Sequence, residues 1–158
     1  MNSSSPARIL VADDDQSIRQ LLGTIIRREG FEVDTVADGV EAIEKLAERD
    51  YAVILVDLMM PRRDGFEVIE YLKSHHPRTK PVVLVISAYA DQRFKQVDPN
   101  VVAGVIRKPF EIAELGGMIR LCVKGLDEAR SSQLYYSSDR AIREFAQRFG
   151  DMPDRTDT

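Results

Sequence analysis

The chain has 158 residues, with 22 Lys or Arg against 26 Asp or Glu and a formal net charge of -4. That length suits one domain with a short appendage, and the absence of any basic run argues against a broad nucleic-acid-binding face. No apolar stretch approaches the ~20 residues of a membrane span, and the polar start and single cysteine, Cys122, suggest neither export nor an internal disulfide, so a cytoplasmic protein without membrane contact is expected.

Ile9-Leu10-Val11-Ala12 is a short apolar run that ends in Asp13-Asp14-Asp15. Continuous apolar runs of this kind read as strands buried on both faces. Ile18, Leu21, Leu22, Ile25 and Ile26 then share one helical face, from a start near Asp15 to Ser17 to a stop at Gly30. Phe31 to Val36 reads as a second strand, and Asp38-Gly39 opens a helix carrying Val40, Ile43, Leu46 and Ala47. Val53-Ile54-Leu55-Val56 runs into Asp57, and after a Pro-containing loop a helix spans about Asp64 to His75. Val82 to Ile86 runs into Ser87.

Asp91 to Val97 has room for about two helical turns before Asp98-Pro99-Asn100 breaks them. Val101 to Ile106 forms the last strand and leads through Arg107 to Lys108-Pro109. A long helix follows from about Glu111 to Glu128, with Ile112, Leu115, Ile119, Cys122 and Leu126 on its buried face. Residues 7–128 thus form one domain, and 129–158 a polar tail. In the tail, Asp139 can cap a short helix with an Ile142, Phe145, Ala146 and Phe149 stripe. That stripe could pack on its own domain, or dock a partner or a second copy to make a homodimer. Strands alternating with helices over short connections predict an α/β fold with a parallel sheet covered on both faces.

In such a sheet, ligands bind outside the carboxyl ends of the strands. Asp13, Asp14, Asp57, Ser87 and Lys108 all stand at those ends. Crowded carboxylates raise one another's pKa unless a cation joins them, and an acidic oxygen cluster with room for water suits Mg²⁺. With the ion bound, a carboxylate could attack a phosphoryl group, while the Ser87 hydroxyl and the Lys108 charge hold the phosphoryl oxygens. Singly, each residue has a plainer reading: Asp caps helices, Ser forms turns, and Lys-Pro is a weak dipeptide. The ordered combination is what carries weight. His75 and His76 read as a solvated helix end and Cys122 as a core residue.

These pieces together resemble the receiver domains of bacterial two-component response regulators. The matching segments are Ile9 to Asp15, Val56-Asp57-Leu58-Met59-Met60-Pro61 with Asp64-Gly65, Ser87-Ala88 and Lys108-Pro109-Phe110. The resemblance implies a doubly wound five-stranded parallel sheet of order 2-1-3-4-5, flavodoxin-like, here with a shortened fourth helix and an extra C-terminal helix. It implies that Asp57 accepts phosphate from a sensor histidine kinase or phosphotransfer protein. Asp13, Asp14, Asp57 and the Met59 backbone carbonyl would hold Mg²⁺, with Ser87 and Lys108 on the phosphoryl group and a cis Lys108–Pro109 bond. Such a chain is a stand-alone phosphoacceptor signalling to a downstream protein, not an enzyme acting on a separate substrate. The bulk of Met59 and Tyr89 beside the acceptor implies slow loss of phosphate.

Two departures stand out. Val105 occupies a position where the family usually has an aromatic ring that reports the switch, and the fourth helix is cut short. Two alternatives compete with the receiver reading. One is an Mg²⁺-dependent phosphatase using Asp13-x-Asp15, in the manner of haloacid-dehalogenase-like enzymes, although Gln16-Ser17 does not continue that motif. The other is a receiver-like scaffold that is never phosphorylated.

Overall fold

The apolar runs become the strands of one parallel sheet of order β2-β1-β3-β4-β5. The computed structural model describes residues 6–75, 80–88 and 93–132. Its elements are β1 (Arg8–Ala12), α1 (Gln16–Arg28), β2 (Glu32–Val36), α2 (Gly39–Glu48), β3 (Val53–Asp57), α3 (Gly65–Ser74), β4 (Val82–Ala88), a 3₁₀ turn (Arg93–Gln96), β5 (Val102–Lys108) and α4 (Ile112–Ser132). This is the doubly wound, flavodoxin-like arrangement expected from the sequence.

Side chains alternate faces along a strand, and here both faces are covered. Leu10, Ile54, Val56, Val83, Val85 and Val105 pack beneath α2 and α3 with Ala42, Val68 and Ile69. Ile9, Val11, Val53, Leu55, Leu84 and Ile86 pack beneath α1 and α4 with Leu22, Ile26, Leu115, Ile119 and Cys122. Burial on both sides explains why the strands read as unbroken apolar runs and not as alternating patterns.

Three helices begin on an aspartate that accepts from the first-turn N–H groups: Asp15 for α1, Asp38 for α2 and Asp64 for α3. Asp64 completes a reciprocal pair with Glu67, whose backbone N donates to Asp64 at 3.0 Å and whose side chain accepts from Asp64 N at 3.2 Å. Gly30, at φ +88°, ends α1 in the left-handed conformation that favours glycine.

The structure departs from the sequence reading in several places. Of Asp91 to Val97, Arg93–Gln96 form a 3₁₀ turn, while Asp91 and Gln92 lie outside the described residues. Asp98 explains the stop. Its side chain takes Asn100 N at 2.8 Å and its carbonyl takes the N–H groups of Val101 and Val102 at 3.1 and 2.9 Å, turning the chain directly into β5. Ile112, expected on the buried face of the last helix, is 49% exposed. It occupies the first turn, while the expected Leu115, Ile119 and Cys122 are buried together with Met118 and Val123. That helix also continues to Ser132, past Glu128.

The Leu126 side chain, His76, Tyr89 and the expected tail helix between Asp139 and Gly150 lie outside what is described. Among the described residues, no helix is long and apolar enough to cross a membrane.

Candidate functional site

Strand register sets the site. Asp57 is the last residue of β3 and pairs with Ile86 of β4, so Ser87 stands one position further along the neighbouring strand. Ser87 pairs with Arg107 and Ala88 with Lys108, the last residue of β5. Asp13 follows β1 directly, its N–H donating to Val36 O at 3.1 Å. The strands run past their apolar stretches: β4 keeps Ser87 and Ala88, and β5 keeps Arg107 and Lys108.

The acids cluster tightly. Ligand oxygens of Asp13, Asp14 and Asp57 lie within 4.8 Å of one another. Asp13 and Asp57 are buried while Asp14 is exposed, so the cluster opens to water on one side. Lys108 extends across β4 to reach both buried acids, its Nζ donating to Asp13 Oδ2 at 3.0 Å and to Asp57 Oδ2 at 3.4 Å. The other oxygens are also engaged: Asp13 Oδ1 accepts from Asp15 N at 2.9 Å and Asp57 Oδ1 from Met59 N at 3.0 Å.

These surroundings shape the charges. Burial pushes the Asp57 carboxyl up to about 6, with the Asp13 charge adding to the rise and the Met59 N–H and Lys108 opposing it. Burial pulls Lys108 downward, but the Asp13 and Asp57 carboxylates outweigh it and hold the ammonium above its ordinary range. Among the described residues, Lys108 thus pairs with two of the three clustered carboxylates.

That donor set fits Mg²⁺. The three acids offer hard oxygens in a small volume, and the exposed Asp14 side leaves room for the waters this ion retains. Ser87 is buried, and its hydroxyl donates to Ala88 O at 3.4 Å. That is long against the usual ~2.7–2.8 Å for O–H···O, so a better acceptor nearby would draw the hydroxyl away. The Lys108–Pro109 bond is cis.

Met59 is 55% exposed at the rim, where Arg93 touches its Sδ and lies over the Phe66 ring at 5.6 Å. Asp15 faces elsewhere. Its side chain takes Ser17 N at 2.8 Å and Ile18 N at 3.3 Å, which commits it to capping α1. His75 ends α3 and stacks on Tyr71 with ring centroids 4.1 Å apart.

Several contributors gave no sequence signal. Arg19 Nη1 donates to the Asp13 carbonyl at 2.8 Å, one helical turn beyond the acid run. Gly65 lets α3 approach the acceptor: a β-carbon there would stand 2.4 Å from the Asp57 carbonyl oxygen. The Asp64-Gly65 pair was visible in the sequence, but the need for space at that glycine was not.

The profile described as the response regulator receiver domain matches residues 9–120. Among curated proteins, the chain is 32% identical over 120 residues to the protein PilG of Pseudomonas aeruginosa, covering 74% of this chain and 87% of that one. It is 30% identical over 123 residues to the transcriptional regulatory protein GltR of the same organism, covering 77% of this chain and 51% of that one. The chain spans about half the length of most of the curated relatives it matches. Among solved structures, the chemotaxis response regulator CheY4 of Vibrio cholerae superposes with a TM-score of 0.67 at 29% identity, covering 75% of this chain and 99% of that one. A CheY-like receiver domain protein from Methanospirillum hungatei gives a TM-score of 0.69 at 26% identity, covering 81% and 99%.

Proposed function

The chain belongs to the response regulator receiver domain family, and from that premise we propose that Asp57 accepts a phosphoryl group in an Mg²⁺-dependent transfer. The donor is a phosphohistidine on a sensor histidine kinase or phosphotransfer protein, met in the cytoplasm. An Asp57 oxygen attacks phosphorus, a P–O bond forms, and the P–N bond breaks with its electron pair returning to the histidine ring. Output then passes to a downstream protein through surface contacts. The chain is thus a signalling phosphoacceptor whose own residues promote the transfer.

One observation carries this reading: Lys108 Nζ lies at 3.0 and 3.4 Å from two carboxylates brought together from separate strands. Asp57, next to the Ser87 position, is the acceptor. Asp13, Asp14 and Asp57, with the Met59 carbonyl, hold Mg²⁺. When bound, the ion supplies charge neutralisation between the acids and the phosphoryl oxygens. Lys108 already sits against Asp57 and needs only a small shift to meet an incoming phosphoryl oxygen. The Ser87 hydroxyl, weakly held, turns to donate to that same group. Burial of Asp57 excludes bulk water, strengthening each of these contacts.

The test is incubation with acetyl phosphate and Mg²⁺ followed by localisation of the added mass. Label on Asp57 is expected. Label on Asp13 would favour the phosphatase reading, against which the capping role of Asp15 already stands. No label, with Mg²⁺ present, would favour a scaffold.

A further inference from the structure

The loop joining Asp57 to α3 is tied down at a point away from the acid cluster. Asp38 uses Oδ1 to cap α2, accepting from Glu41 N at 2.9 Å. Its other oxygen, Oδ2, accepts from Arg62 Nε at 2.7 Å and Nη2 at 2.6 Å. Asp38 is buried, and burial pushes its carboxyl upward, but the Glu41 N–H and the Arg62 guanidinium outweigh that and hold it below its ordinary range. The pair joins residues 24 apart in sequence.

The Arg62 backbone is unusual. It lies at φ +62°, in the left-handed region that a β-carbon disfavours and glycine adopts freely. A non-glycine residue held in that conformation beside a site is a reason to ask what its side chain does. The next residue adds a main-chain tie, because Gly39 N donates to Arg63 O at 2.9 Å. The approach is so close that a β-carbon on Gly39 would stand 2.3 Å from that oxygen.

Both ends of the loop are fixed as well. Met59 N donates to Asp57 Oδ1 at 3.0 Å, and Gly65 N donates to Leu58 O at 3.1 Å. Between those ends, the first turn of α2 grips Arg62 and Arg63. Met59 lies in the stretch so constrained, with only Met60 and Pro61 between it and Arg62.

We propose that the Asp38–Arg62 pair is a positioning latch for the acceptor site: by fixing the middle of this loop it sets the Met59 main chain, and with it the affinity for Mg²⁺. This rests on the reading of Asp57 and its neighbours as an Mg²⁺ site. Arg62 spends its guanidinium on Asp38 and would act through the loop, as outer groups orient ligands at other metal centres.

Arg62→Gly separates positioning from simple stabilisation. It removes the guanidinium from the buried Asp38 but relieves the left-handed backbone at the same residue, so the two effects oppose each other and thermal stability should move little. Calorimetric titration of the full chain with Mg²⁺ alone should then show affinity weakened by about tenfold, at the low end for outer groups at metal sites. Labelling of Asp57 by acetyl phosphate should need correspondingly more Mg²⁺ for half-maximal rate yet approach the wild-type maximum at saturation. Asp38→Asn keeps a good helix cap while dropping the charge, and should move Mg²⁺ affinity in the same direction by less. Wild-type Mg²⁺ affinity in Arg62→Gly overturns the latch and leaves the site reading intact. A wild-type chain that binds no Mg²⁺ overturns both. If the wild type binds Mg²⁺ yet takes no label, the transfer reading falls and the titrations still decide the latch.

Discussion

Asp57 is buried in a place where ionising it is unfavourable. Its carboxyl titrates near 6 in the fold against an ordinary value of 3.8. Between those two values the unfolded chain has released the proton that the folded chain still holds, so stability from this group is present at low pH and lost as pH rises to about 6. In Mg²⁺-free buffer at pH 7.5, Asp57→Asn should therefore be more stable than wild type in urea unfolding. A gain of about 1 kcal/mol is expected, less than full linkage because the open Asp14 side screens the charge. The gain should vanish near pH 4, and Mg²⁺ should reverse it by stabilising only the wild type. Carbon-detected titration of the carboxyl should show its midpoint fall when Mg²⁺ is added. The strand-end positions of the acids, Ser87 and Lys108 were legible in the sequence, because the acids and Ser87 follow apolar runs directly and Lys108 follows one across Arg107. Arg19 and the Asp38–Arg62 pair were not: an ion pair across 24 residues leaves no periodic trace.

Two glycines at element ends answer different needs. Gly65 gives α3 room against the Asp57 carbonyl, where a β-carbon would meet the oxygen at 2.4 Å, whereas Gly30 has nothing within 4 Å and serves only its φ of +88°. Gly65→Ala should cost about 2–3 kcal/mol in urea unfolding, as overpacking against fixed backbone does, and should slow labelling of Asp57 by moving the helix start. Gly30→Ala should cost about 1 kcal/mol, the left-handed penalty for a β-carbon, and leave labelling unchanged. The sequence marked Gly30 as a helix end, but not the space needed at Gly65, which depends on backbone brought up from β3. Element boundaries failed for comparable reasons. Hydrogen bonding carried β4 and β5 beyond their apolar cores, and the Asp98 turn leads the 3₁₀ turn Arg93–Gln96 straight into β5. Ile112 followed the helical period yet fell in a first turn that overhangs the core.

Across the molecule, the described side chains that pack the two faces of the sheet run as far along the chain as Val123. Because every residue of the candidate site precedes Ser132, a chain ending there should take label on Asp57 at the rate of the full chain, and urea unfolding of the two side by side measures what residues 133–158 add. The sheet order was available to sequence reading through family resemblance, and the two-faced core through unbroken apolar strands. Val105 belongs to the buried set beneath α2 and α3, beside Val85 on the neighbouring strand. Lys108 gives this architecture a further property. Its arm ties the edge strand β5 to acids at the ends of β1 and β3, so on the proposed function a phosphoryl dianion on Asp57 would contend with Asp13 for the Lys108 ammonium. Chemistry at the middle of the sheet would thereby be felt at its edge.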